Sequence, residues 1–212
     1  MALANKIHIA VVAAAGLAMS GTAALASVVT FNFASANSGS WSNSLQYGTS
    51  ALGLTVTGGN YPNGLDITST SQVRTYAGLG LGVLSPFDTS GQIDGSGGND
   101  AAIFSFSKAV ALTSIGFTNV ATNGTEYFDL FTSNGGVPKY TTLDLKAALT
   151  YNFTAPVTAT TFGIGAYYSN SAYYVSSVTV SYPDVTGVPL PATGGALLAG
   201  LAALGAMRRR RA

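Results

Sequence analysis

The sequence predicts an all-β protein, an antiparallel β-sandwich of jelly-roll type, and three observations predict it. Apolar and polar residues alternate with a period of two along most of the central chain. Turn sequences such as Asn63-Gly64, Asn123-Gly124 and Ser133-Asn134-Gly135-Gly136 separate the alternating runs. Between the two ends of the chain only Leu143–Leu149 holds even a short helix-like cluster. A period of two puts one face of a strand on a core and the other in water, which is the pattern of antiparallel sheet. Strands that bury half their side chains need a second sheet facing the first.

The first 26 residues carry a different signal. Lys6 is the only charge ahead of an apolar run from Ile9 to Met19, and Ala24-Leu25-Ala26 follows as a small-x-small box. A short basic region, an apolar core and such a box describe a secretory signal peptide, with Ala24 and Ala26 marking the cleavage site. The partners this end implies are the Sec export machinery and signal peptidase.

Residues 27–187 form the predicted sandwich domain. Candidate strands are Val28–Phe33, Leu52–Thr57, Val73–Tyr76, Gly82–Leu84, Ala101–Ser107, Leu112–Val120, Tyr127–Thr132, Thr141–Leu145, Thr150–Phe153, Thr161–Tyr168 and Tyr173–Tyr182. In Ile103-Phe104-Ser105-Phe106-Ser107 the phenylalanines share one face and the serines the other. Val178, Val180 and Tyr182 alternate with Ser177, Thr179 and Ser181 in the same way. Asn170 and Ser171 divide the last two strands as a hairpin turn would. Residues 35–50 and 58–72, rich in Ser, Asn, Gly and Thr, read as long loops.

Composition removes several chemistries. The chain has no cysteine, and its one histidine, His8, belongs to the signal segment. Disulfides, thiolate catalysis, Ser-His-Asp triads and the usual zinc sites are therefore excluded from the domain. Without the two ends, four basic residues (Arg74, Lys108, Lys139 and Lys146) face eight acidic ones, a net charge of about −4. Such a domain has no electrostatic footprint for nucleic acid. Gly78-Leu79-Gly80-Leu81-Gly82 lacks the third glycine and the following helix of a dinucleotide site. Glu126 and Asp129 fall on opposite faces of one strand, so paired carboxylates for glycoside hydrolysis are not indicated. The expectation is a protein that is not an enzyme.

Two stretches carry binding chemistry. Asp94-Gly95-Ser96-Gly97-Gly98-Asn99-Asp100 spaces Asp94, Asn99 and Asp100 with glycines, and these could give three oxygens to a structural Ca²⁺. The same residues also suit a polar turn whose side chains accept local N–H groups. Tyr167, Tyr168, Tyr173 and Tyr174 flank one turn and could stack sugar rings, although such tyrosines also pack across strands.

The C-terminal segment, residues 188–212, has three parts in order. Val188, Pro189, Leu190, Pro191 and Ala192 make a proline-paired strip, held extended because each proline disfavours helix in the residue before it. A small-residue apolar run follows, and Arg208, Arg209, Arg210 and Arg211 close the chain. Leu190–Met207 counts 18 residues. That is about 27 Å of helix against a hydrocarbon core of about 30 Å, a short transmembrane helix with its arginines on the cytoplasmic side. This ending resembles the VPLPA variant of the PEP-CTERM sorting signals of exported Gram-negative proteins. The resemblance covers about 25 of 212 residues. It implies transient membrane insertion, removal of the tail by an exosortase-type enzyme, and delivery to the cell surface or an exopolysaccharide matrix. Leu190-Pro191-Ala192-Thr193-Gly194 also satisfies the LPxTG pattern of sortase substrates, and a plain C-terminal membrane anchor is the simplest alternative. For the domain, the expectations are a structural or adhesive component and, as the alternative, a carbohydrate-binding module with or without Ca²⁺.

Overall fold

The computed structural model describes residues 26–61, 67–86, 89–121, 125–136 and 138–183. Among them the protein is all β, with no helix. The signal segment before Ala26 and the sorting motif, apolar run and arginines after Pro183 lie outside the described residues. So do the Asn63-Gly64 and Asn123-Gly124 turns.

Eleven strands follow in order: β1 (Ala26–Asn32), β2 (Ser44–Gly48), β3 (Gly53–Asn60), β4 (Thr68–Tyr76), β5 (Gly80–Leu84), β6 (Ile93–Asp94), β7 (Asp100–Thr118), β8 (Tyr127–Ser133), β9 (Lys139–Lys146), β10 (Thr150–Gly165) and β11 (Ala172–Pro183). Every pairing is antiparallel.

The long strand β7 organises the rest. Along one edge it pairs with β10. Along the other its first half pairs with β3 and its second half with β11. From β3 the ladder continues through β4 and β5 to β11, so β7, β3, β4, β5 and β11 form a closed barrel. Closure pairs both edges within these five strands, while β1, β2 and β9 each have one strand partner. β10, β8 and β9 extend the sheet beyond β7, β1 adds to β11, and β2 adds to β3.

This arrangement changes the sequence reading in several places, among them the two stretches read as long loops, which hold β2, the end of β3 and the start of β4. Ala101–Ser107 and Leu112–Val120 are one bent strand, as are Thr150–Phe153 and Thr161–Tyr168. The register between β7 and β10 slips between Ala159 and Thr161 and again between Asn152 and Val157, and such bulges let a strand bend without ending. β10 and β11 do not form a hairpin. They lie on opposite edges of β7 and run in the same direction: Gly165 pairs with Ala101 at the start of β7 and Tyr174 with Thr118 at its end, so residues 166–171 join positions beside the two ends of that strand. Finally, the helix-like cluster at 143–149 is the end of β9 and a turn, because Tyr127 and Phe128 pair there with Lys146 and Leu145.

The alternating residues fill the barrel as the pattern requires. Phe104 and Phe106 from β7, Phe162 and Ile164 from β10, and Val178 and Val180 from β11 enter one core, together with Phe33, Leu54, Phe117 and Phe128. Phe117 packs on Phe128 and Tyr173, with centroids 5.0 Å away in each case. Burying one such ring contributes about 2–3 kcal/mol. Ser105 and Ser107 point outward, half-buried and exposed.

A second, smaller cluster lies on the outer face. Tyr61, Ile67, Ala101, Ile103 and Phe131 pack together there. Gly163 and Gly165 make room for them, since an added Cβ would collide with Ile67 at the first and with the Tyr61 ring at the second. The alternation in β10 places these glycines on a water face. The segment ending at Tyr61 and resuming at Ile67 covers that face instead.

Candidate functional site

The sequence-predicted binding residues gather at the end of the barrel where β6, β7, β8 and β11 begin. Loop contacts tie this end together. Gly95 N–H donates to the Ser171 carbonyl (3.3 Å), Tyr61 N–H to the Asn99 carbonyl (3.0 Å), and Ala166 N–H to the Asp100 carbonyl (3.0 Å). Tyr127 N–H donates to Ser171 Oγ at 3.0 Å.

Asp94 and Asp100 are buried, and Asn99 is half-buried. Asp94 spends its carboxylate on its own turn. Oδ1 accepts the Ser96 N–H at 2.8 Å, and Oδ2 accepts the Ser90 hydroxyl. Asn99 sits in the left-handed region at φ 53°, which Asn tolerates better than most residues. With its amide nitrogen facing the Gly95 and Tyr167 carbonyls, it donates to both at 3.2 and 3.1 Å. Asp94 and Asn99 thus fasten one loop to the next through their side chains, and Asp100 does so through its backbone carbonyl. Among the described residues no group of three His, Cys, Asp or Glu side chains is placed to hold a metal ion.

Two acids that the sequence reading gave no binding role lie nearby. Asp129 is buried on the outer face of β8, opposite Gly165. Its Oδ2 accepts the Tyr61 hydroxyl at 3.2 Å and its Oδ1 accepts the Asp144 N–H at 3.0 Å. The second bond needs a local irregularity. The β8–β9 register slips between Phe128 and Leu130, and Asp144 takes a left-handed φ of 56°. The bulge turns the Asp144 N–H toward the carboxylate. Glu126 Oε2 accepts the Ala121 N–H at 2.7 Å. Burial raises both carboxyls above the usual carboxylate range, while the N–H donors pull back against it. Burial also raises the phenols of Tyr61 and Tyr173, reinforced by Asp129.

The four tyrosines do not form one row. Tyr167 and Tyr168 are 48% and 42% exposed. Tyr173 is fully buried and donates its hydroxyl to the Gly165 carbonyl at 2.8 Å. Tyr174 is buried against Tyr76, on the opposite face of β11. Alternation along β11 sends 173 and 174 to opposite sides, so only the loop pair offers ring faces to a ligand. Tyr167 stacks on Tyr61 (6.4 Å, 29°) and Tyr168 meets Tyr127 edge-on (6.0 Å, 64°). A hydrogen bond to the Asp144 carboxylate raises the Tyr168 phenol.

A groove of about 500 Å³ crosses the outer face of β3, β4, β7 and β10. Ile67 and Ile103 give it an apolar floor, and Thr57, Thr68, Ser105 and Thr161 give it hydroxyls. Thr55, Ser105, Thr161 and Ser133 are register partners and make a row of hydroxyl side chains across four strands. No charged residue lines the groove. The outward serines of β7 were legible in the sequence. Their alignment with Thr55, Thr161 and Ser133 needed the register.

Compared with protein-family models, with curated proteins and with solved structures, the chain matches none. Among the described residues no helix is long and apolar enough to cross a membrane.

Proposed function

We propose that this is an exported, non-enzymatic surface protein with a structural or adhesive role, released from the membrane by processing at Val188–Ala192. Within this reading the antiparallel barrel is taken as jelly-roll-like, the finer expectation drawn from the sequence. The observation that carries the reading is the order of features in the tail: proline-paired strip, apolar run, four arginines. The signal segment at the other end supports it. The described strands, from Ala26 to Pro183, close a barrel among themselves. The test is mass spectrometry of the protein recovered from the cell surface or medium. The expected form begins at Ser27 and ends between Val188 and Gly194. A surface form that retains Arg211 overturns the proposal.

A second reading, carbohydrate binding, is favoured by the exposed Tyr167–Tyr168 pair and the hydroxyl-lined groove. Ring faces and hydroxyl rows are the groups that take up neutral sugars. A glycan array that reports a neutral polysaccharide, with the signal lost in Tyr168→Ala, would support it. An array blank for neutral glycans would remove it. A chelator added to the same array tests the Ca²⁺ expectation for Asp94, Asn99 and Asp100.

A further inference from the structure

Arg74 is the only arginine outside the tail, and Trp41 is the only tryptophan of the chain. The fold brings them together. The Arg74 guanidinium carbon lies 4.6 Å from the Tyr76 ring centroid and 5.8 Å from the Trp41 centroid. The two rings stand 6.1 Å apart at 78°.

The backbone holds all three in place. Arg74 and Tyr76 share one face of β4, two residues apart. Trp41 is pinned beside that face because Gly39 N–H donates to the Thr75 carbonyl (3.1 Å) and Ser42 exchanges bonds with Val73 (3.0 and 2.8 Å). Opposite Arg74 on β5 is Gly82, which puts no side chain in the way. Gly91 lies over the aromatic pair at a left-handed φ of 66°, where an added Cβ would meet both Tyr76 and Trp41. Tyr174 backs Tyr76 from β11 at 5.0 Å.

Among the described residues the neighbours of this guanidinium are rings rather than carboxylates. Its Nε is buried and has no hydrogen-bond acceptor among the described residues. The residue as a whole is only half-buried, which leaves the Nη end as the accessible part. A guanidinium keeps its charge in such a setting and presents a planar fork of donors that matches carboxylate or sulfate oxygens. Trp41 and Tyr76, both half-buried, add ring surface beside the fork. Ring faces take the C–H side of a sugar while a donor fork takes its acid group.

We propose that Trp41, Arg74 and Tyr76 form a binding subsite for an anionic glycan, a polysaccharide that carries carboxylate or sulfate groups. The subsite is distinct from the Tyr167–Tyr168 pair and from the uncharged groove. It extends the surface-protein reading but does not depend on it, because its test reads binding by the purified chain whatever happens to the tail.

The test is affinity electrophoresis of the full-length chain in mild detergent. Three gels contain polygalacturonate, dextran sulfate or a neutral β-glucan. Retardation is expected in at least one acidic gel, and the two acidic gels separate carboxylate from sulfate recognition. Arg74→Gln should weaken the apparent affinity about tenfold or more, and Arg74→Lys, which keeps the charge but loses the fork, by less. Thermal midpoints of both variants establish that they fold, and Arg74→Lys carries the comparison if Arg74→Gln does not. Three outcomes overturn the proposal: no retardation of the parent chain in either acidic gel, equal retardation of the folded variants, or equal retardation in the neutral gel.

Discussion

At the end of the barrel near residues 166–171 the acids lie inside. On the β4 face the arginine lies flat against rings, half in water. Asp129 and Glu126 are buried, and each takes hydrogen bonds from neighbouring backbone N–H groups. Asp129 also takes the hydroxyl of a buried tyrosine. Arg74 has ring faces instead, which hold the cation without consuming its donors. A charge whose bonding positions are filled by its own chain fastens the fold. One that is stacked keeps the capacity to bind something else.

Four measurements break or sharpen this contrast, from the largest expected effect to the smallest. Asp129→Ala strands the buried Tyr61 hydroxyl and the part-buried Asp144 N–H, at about 1–3 kcal/mol for each group left without a partner. At about 2–4 °C per kcal/mol the midpoint in scanning calorimetry should fall by roughly 4–24 °C. A fall of only a degree or two would show that the acid end is not structural. Tyr61→Phe removes one hydrogen bond and keeps the ring, so about 1 kcal/mol is expected in urea unfolding. Arg74→Gln loses only the stacking, about 0.5–1 kcal/mol. If it destabilises as much as Asp129→Ala, the two regions are alike and the contrast disappears.

The smallest effect is on pH. Burial holds Asp129 and Glu126 above the range they have in the unfolded chain. Between the unfolded and folded values the folded state binds more protons, so these two groups make stability fall as pH rises through that window. Lowering the pH from neutrality toward about 4, the ordinary carboxylate range, should therefore add stability from these groups. Calorimetric midpoints of the parent, Asp129→Asn and Glu126→Gln across that range check it. The variants should show a flatter dependence, and an unchanged dependence in both would overturn the assignment.

The all-β class and the core face were legible because the residues concerned alternate without interruption. Phe104, Phe106, Phe162, Val178 and Val180 are where the pattern puts them. Strand β2 was missed because its alternation is only two residues long: Leu45 and Tyr47 pack on the core, but they stand alone in a stretch of Ser, Asn and Gly. Barrel closure was not legible either. It depends on β11 meeting β7 and β5 at once, and no local pattern encodes that choice. The tyrosine row failed for a local reason: Tyr173 and Tyr174 belong to a strand, so adjacent residues part company. The Arg74 stack was out of reach because Trp41 lies in a stretch that reads as loop, and only the bonds of Gly39 and Ser42 to β4 bring it to Arg74.

Ala26 pairs with Pro183, so the first and last described residues of the barrel sit side by side. A mechanical load applied between these two points would peel β1 from β11 one residue pair at a time, starting at that corner. Every second step breaks a pair of backbone bonds, and the ladders around β7 carry none of the force. Pulled by its ends, the molecule should yield early at this seam and resist everywhere else.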